Sequence, residues 1–177
     1  SMAIAVRIAR AFSGRDKIAL CGYHGWHDWY LSANLGAGKD SLSAHLLPGL
    51  DPAGVPSDLR GSTLPFHYNR LDELDALIAE HGSELGAVVM EPTRYTDPEP
   101  GFLEGVRGRC DRLGIPLIFD EISIGWRLGL GGAHLKFGVA PDLAVFAKAL
   151  GNGFPIGAII GTGEVMQAAQ TSFISSA

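Results

Sequence analysis

Two short apolar runs, each closed by a charged residue, restrict this chain more than any other feature. Pro116-Leu-Ile-Phe runs into Asp120-Glu121, and Leu143-Ala-Val-Phe-Ala147 runs into Lys148. Runs this short, apolar at every position and bounded by turn residues such as Gly114, read as strands buried on both faces. Ligands of open α/β sheets bind outside the carboxyl ends of the strands. An acid and an amine delivered to that edge from two strands form a candidate site.

The same logic orders the rest of the chain. Ala3 to Phe12, with Ile4, Ile8 and Phe12 about one turn apart, predicts an amphipathic helix stopped by Gly14. Asn69 is placed to cap a second helix, with Asp72 in its first turn, Leu71, Leu74, Leu77 and Ile78 as its apolar stripe and Gly82 at its end. Phe102, Leu103, Val106, Cys110 and Leu113 mark a third helix closed by Gly114, and a last one runs from Glu164 to Gln170. Between them, strands are expected near 17–21, 87–91, 116–120, 143–147 and 158–161. Helix and strand alternate, so the fold class is α/β: three layers, a mainly parallel sheet with helices on both faces. The stretch from Leu35 to Leu64 is rich in Gly, Pro and Ser and lacks clear elements; it reads as an active-site lid or a loop.

The chemistry that calls for Asp120 and Lys148 together is a pyridoxal phosphate site. A lysine holds that cofactor as a Schiff base while a carboxylate faces the pyridinium nitrogen. The carboxylate keeps the nitrogen protonated, and the displaced amine is free to move a proton. An ion pair, or two unrelated strand-end charges, would account for the same two residues. Past the first strand, Gly22-Tyr23-His24-Gly25-Trp26-His27 admits aromatic packing in a loop, or a metal pair at His24 and His27 that lacks an obvious third ligand. Glu91-Pro92, after the strand at Gly86–Met90, reads as another strand-end carboxylate at a turn, and Arg94 as an exposed loop arginine with the option of reading a substrate carboxylate.

Composition excludes several classes. A chain of 177 residues with 46% apolar and 19% charged residues suits one soluble globular unit. A net charge of −5 with no basic run argues against nucleic acid as a partner. No apolar stretch approaches the length that crosses a bilayer, and no signal peptide is visible. Cys21 and Cys110 sit in apolar settings, as reduced core thiols of a cytoplasmic protein do. Gly129-Leu-Gly-Gly132 resembles part of a dinucleotide fingerprint, but it lies at no strand-to-helix turn and lacks the following acid. A nucleotide-binding oxidoreductase is therefore set aside.

Asp120-Glu-Ile-Ser-Ile-Gly-Trp-Arg127 and Lys148-Ala-Leu-Gly-Asn-Gly-Phe-Pro-Ile-Gly157 resemble the class III aminotransferases, within fold type I of the pyridoxal phosphate enzymes. Within that family the likeness is closest to glutamate-1-semialdehyde 2,1-aminomutase and related aminotransferases, and it runs through essentially the whole chain. It implies a pyridoxal 5'-phosphate cofactor, a small amino or keto substrate and a homodimer. It implies Lys148 and Asp120 as catalytic residues, Tyr23 stacked on the cofactor ring with His24 alongside, Ile122 on the opposite face and Glu91 near the cofactor's oxygen side. It also implies that residues 1–177 form an incomplete large domain, without the amino-terminal segment and small carboxyl-terminal domain of the family. The short strand at Gly157 is expected to run antiparallel. Arg94-Tyr95-Thr96-Asp97 departs from the aminomutase pattern, which leaves aminotransferase and aminomutase both open. A truncated, non-catalytic module that serves structure or interaction is the competing reading.

Overall fold

The computed structural model describes residues 1–36, 41–43, 45 and 50–172. Six strands form one sheet in the order β2-β1-β3-β4-β5-β6. They are β1 (Lys17–Cys21), β2 (Thr63–Pro65), β3 (Leu85–Met90), β4 (Leu117–Asp120), β5 (Leu143–Phe146) and β6 (Ala158–Gly161). The first five are mutually parallel, and β6 runs antiparallel to β5. The helices are α1 (Met2–Ser13), α2 (Asp28–Leu31), α3 (Leu71–His81), α4 (Phe102–Leu113), α5 (His134–Phe137) and α6 (Gly163–Thr171).

Alternation along each strand splits the core into two layers. Ile18, Leu20, Val89, Ile118 and Val145 face α1, α2 and α6. Ala19, Val88, Met90, Leu117 and Phe119 face α3 and α4. The expected three-layer α/β architecture is therefore present. Side chains fully buried in such layers each contribute about 1.5–3 kcal/mol of transfer free energy.

Three expectations need correction. The sheet has a sixth strand: β2 pairs parallel with β1 at the far edge, beginning at the end of the stretch expected to lack elements. It is three residues long and ends in Pro65, which only an edge strand tolerates. A short 3-10 turn at Ser57–Leu59 also lies in that stretch, while residues 37–40, 44 and 46–49 fall outside the described residues. The stripe of α1 is rotated from the expected one. Met2, Ala5, Val6, Ile8 and Ala9 are buried, whereas Ile4 is exposed. Asn69 does not cap α3; the helix begins at Leu71, and the Asn69 side-chain oxygen accepts from the Glu99 amide at 3.0 Å.

Two half-buried contacts set the register of the strands that matter for function. Asp142, just before β5, accepts from the Leu117 amide of β4 at 2.7 Å and from Arg107 of α4 at 2.6 Å. This locks β4 and β5 so that Asp120 lies opposite Val145. Phe119, beside Asp120, is fully buried between β4 and the α3–α4 layer. Phe119→Ala is expected to cost about 3–5 kcal/mol of folding free energy, read as a lowered urea midpoint.

Candidate active site

Because the strands are parallel, the segments after β1, β3, β4 and β5 all emerge at one edge. They carry Tyr23 and His24, Glu91, Asp120 and Lys148 respectively. Asp120 is the last residue of β4 and is buried. Its Oδ1 accepts from the Ile122 amide at 3.0 Å, and its Oδ2 accepts from His24 Nδ1 at 2.9 Å. His24 Nε2 lies 3.2 Å from the Cys21 carbonyl, so both ring nitrogens face acceptors. The imidazole is wedged between Trp29, stacked at 6.0 Å, and Tyr30, edge-on at 5.7 Å. His24 is thus the residue that fixes the Asp120 carboxylate. No metal-binding group of three or more ligands occurs among the described residues.

Lys148 follows β5 in a 3-10 turn and is exposed. Its Nζ donates to Ser123 Oγ at 2.8 Å, which places the amine on the loop that begins at Asp120. Its φ of +46° is unusual for a side chain with a Cβ and costs on the order of 1–2 kcal/mol. No ion pair joins Asp120 and Lys148 among the described residues; Asp120 pairs with His24 and Lys148 with a neutral hydroxyl.

Glu91 is buried just after β3. It accepts from the Tyr23 amide at 3.1 Å and from Arg94 Nη1 at 2.7 and 2.6 Å. The Gly22 backbone, at φ +108°, lies flush against it, and a Cβ there would sit 2.8 Å from Glu91 Oε2. Arg94 is therefore no exposed loop residue. Its guanidinium lies over the rings of Tyr23 and Tyr95, at 5.6 and 5.4 Å. The Tyr23 ring also meets Tyr30 edge-on at 5.7 Å. Ile122 is partly buried against the α1–α2–α6 layer.

Glu121 is the residue that sequence reasoning passed over. It is fully buried and accepts from the Ala133 amide at 2.8 Å, the His134 amide at 3.0 Å and His134 Nδ1 at 2.9 Å. It ties off the loop that contains Ile122 and Ser123. The signal available in the sequence was the second acid of Asp120-Glu121. A carboxylate at the end of a buried strand requires several donors to be tolerated.

With the geometry in place, comparison with known proteins can be stated. A family model described as aminotransferase class-III matches residues 1–175. A 3-aminobutyryl-CoA aminotransferase from Cloacimonas acidaminovorans is 38% identical over 180 residues, which cover 98% of this chain and 39% of that protein. An omega-transaminase from Sphaerobacter thermophilus superposes with a TM-score of 0.77 at 34% identity, over 93% of this chain and 39% of its own. A glutamate-1-semialdehyde aminomutase from Pseudomonas aeruginosa gives a TM-score of 0.72 at 28% identity, over 95% of this chain and 36% of its own. The chain thus spans about two fifths of the length of the proteins it matches.

The role of Glu121 is open to direct measurement. Glu121→Gln keeps the shape but turns an NH2 group toward backbone donors, and is expected to cost about 1–3 kcal/mol. An unchanged urea midpoint would show that the loop is held by other contacts.

Proposed function

Since the chain belongs to the class-III aminotransferases, we propose that the protein carrying it uses pyridoxal phosphate to move an amino group between small amino and keto compounds. The observation that carries this reading is the separation of Asp120 from Lys148. A buried carboxylate and an exposed amine reach the same loop without neutralising each other. That donor set fits the cofactor. Asp120 would face the ring nitrogen, Tyr23 and Ile122 the two ring faces, His24 the far side of Asp120, and Glu91 the oxygen side. Lys148 would hold the carbonyl carbon.

When bound, the cofactor supplies a carbonyl that captures amines and a ring that withdraws electrons from the substrate carbon. The protein's part is positional and acid–base. Asp120 would keep a proton on the ring nitrogen, with His24, 2.9 Å from its Oδ2, restraining the carboxylate from turning away. The Lys148 amine, held by the Ser123 hydroxyl, would serve as the base and acid at the substrate carbon. Ser123 fixes where that amine waits.

Aminotransferase is the favoured outcome over aminomutase, because Arg94-Tyr95 stands where the aminomutase pattern differs. The non-catalytic module is disfavoured by a lysine held in strained backbone, which a purely structural chain has no need to keep. A homodimer is supported by apolar side chains left in water, Leu130 at 93% and Phe154 at 79% exposure. A cytoplasmic setting is supported by the two free buried thiols, Cys21 and Cys110. No helix among the described residues is long and apolar enough to cross a membrane.

The test uses the full-length protein with pyridoxal phosphate and borohydride. A reduced pyridoxyl label on Lys148 alone, lost in Lys148→Ala, is the expected result. Label spread equally over Lys17 and Lys136 would overturn the assignment. Asp120→Asn is expected to retain the label and lower kcat by about 100-fold or more, in line with general acid–base contributions.

A further inference from the structure

The turn after β1 is tied down along its backbone. The Gly22 amide donates to His45 Nδ1 at 3.2 Å, and the Gly22 carbonyl accepts from the Tyr30 hydroxyl at 3.1 Å. The next amide, that of Tyr23, donates to Glu91 Oε2 at 3.1 Å. A fixed backbone still leaves a ring its side-chain rotations, because several staggered wells stay open until neighbours close them.

Two neighbours border the Tyr23 ring. Tyr30, fully buried, meets it edge-on at 5.7 Å. The Arg94 guanidinium lies over it, 5.6 Å from its centre. Arg94 is itself pinned: Nη1 reaches both Glu91 oxygens, at 2.7 and 2.6 Å, and the Tyr95 ring lies 5.4 Å from the guanidinium. A cation set between two aromatic rings is attracted by both, and most strongly where water is excluded. Glu91 thus holds Tyr23 twice, at the amide directly and at the ring through Arg94.

A cavity of about 260 Å³ opens at the carboxyl ends of β1 and β3, and its wall includes Gly22, Glu91, Arg94 and Tyr95 but not Tyr23. Arg94 therefore stands between the Tyr23 ring and that space. Without the guanidinium the ring gains room to turn. The same geometry argues against Arg94 as the reader of a substrate carboxylate. Leaving Glu91 would strand a buried acid that has no other cation among the described residues, at severe cost.

We propose that Arg94 is a positioning residue: it holds the Tyr23 ring in the orientation that serves as a platform for the cofactor, with the exposed Tyr95 as its outer cover. The inference rests on the aminotransferase reading, in which Tyr23 stacks on pyridoxal phosphate, and its test separates the two.

Full-length protein is used throughout. Arg94→Met leaves Glu91 without its cation, so Arg94→Lys, which keeps the charge but not the flat guanidinium, is carried alongside. In crystal structures of the cofactor-free variants, the Tyr23 ring is expected to leave its place against Tyr30 or to occupy more than one orientation. The dissociation constant of pyridoxal phosphate is then measured by absorbance titration. It is expected to rise by about 10-fold in Arg94→Met and at least about 3-fold in Arg94→Lys. With Tyr23→Leu already present, either change is expected to add less than about 2-fold, because a residue acting through Tyr23 then has nothing to act on. An unmoved ring, wild-type affinity in Arg94→Lys, or an equal loss in both backgrounds overturns the proposal. Wild-type protein that takes no reduced pyridoxyl label on Lys148 overturns the aminotransferase reading instead, while the cofactor-free structures still decide whether Arg94 holds the ring.

Discussion

Each buried carboxylate at the sheet edge is satisfied by its own neighbour, and the rest of the site depends on that. Glu91 is held by Arg94, Asp120 by His24 and Glu121 by His134. Three strand-end acids close together would otherwise capture the nearest cation, because a buried carboxylate without a donor is severely penalised. With all three supplied locally, Lys148 is left to a serine hydroxyl. An amine used for chemistry has to be available, and this arrangement keeps it so without removing the acids from the site.

Placement follows from the sheet rather than from the loops. Asp142 bridges the starts of β4 and β5, Arg107 anchors Asp142 from α4, and Arg15 donates to the carbonyls of Leu85 and Leu113. These contacts lie at the amino ends of the strands, away from the chemistry. They fix register there, and the pleat carries it to the far edge. Glu121 performs the complementary task on the functional side, closing the loop that holds Ile122 and Ser123. The left-handed backbone at Lys148 is an unfavourable local conformation sustained by this surrounding rigidity.

Much of this was legible in the sequence, for physical reasons that also explain what was not. The strands carrying Asp120 and Lys148 were legible because burial on both faces makes every position apolar, and no other short element has that pattern. α4 was legible from its apolar spacing and Gly114, which adopts the left-handed C-cap at φ +62°. β2 was not, since an edge strand of three residues ending in proline carries no periodicity. The stripe of α1 was misplaced because alanines bury as well as isoleucines when helix and sheet approach closely, and Ala5 and Ala9 occupy the inner face. Arg94 was misread because its partner, Glu91, is adjacent only once the turn after β3 has formed. His45 could not have been found at all: nothing in a loop rich in Gly and Pro announces that its ring folds back onto the Gly22 amide.

Glu91 belongs to both halves of the edge. On one side it fixes the backbone of Tyr23, and on the other, through Arg94, it sets the charge of the cavity between β1 and β3. One carboxylate therefore links the orientation of the aromatic platform to the polarity of the neighbouring pocket.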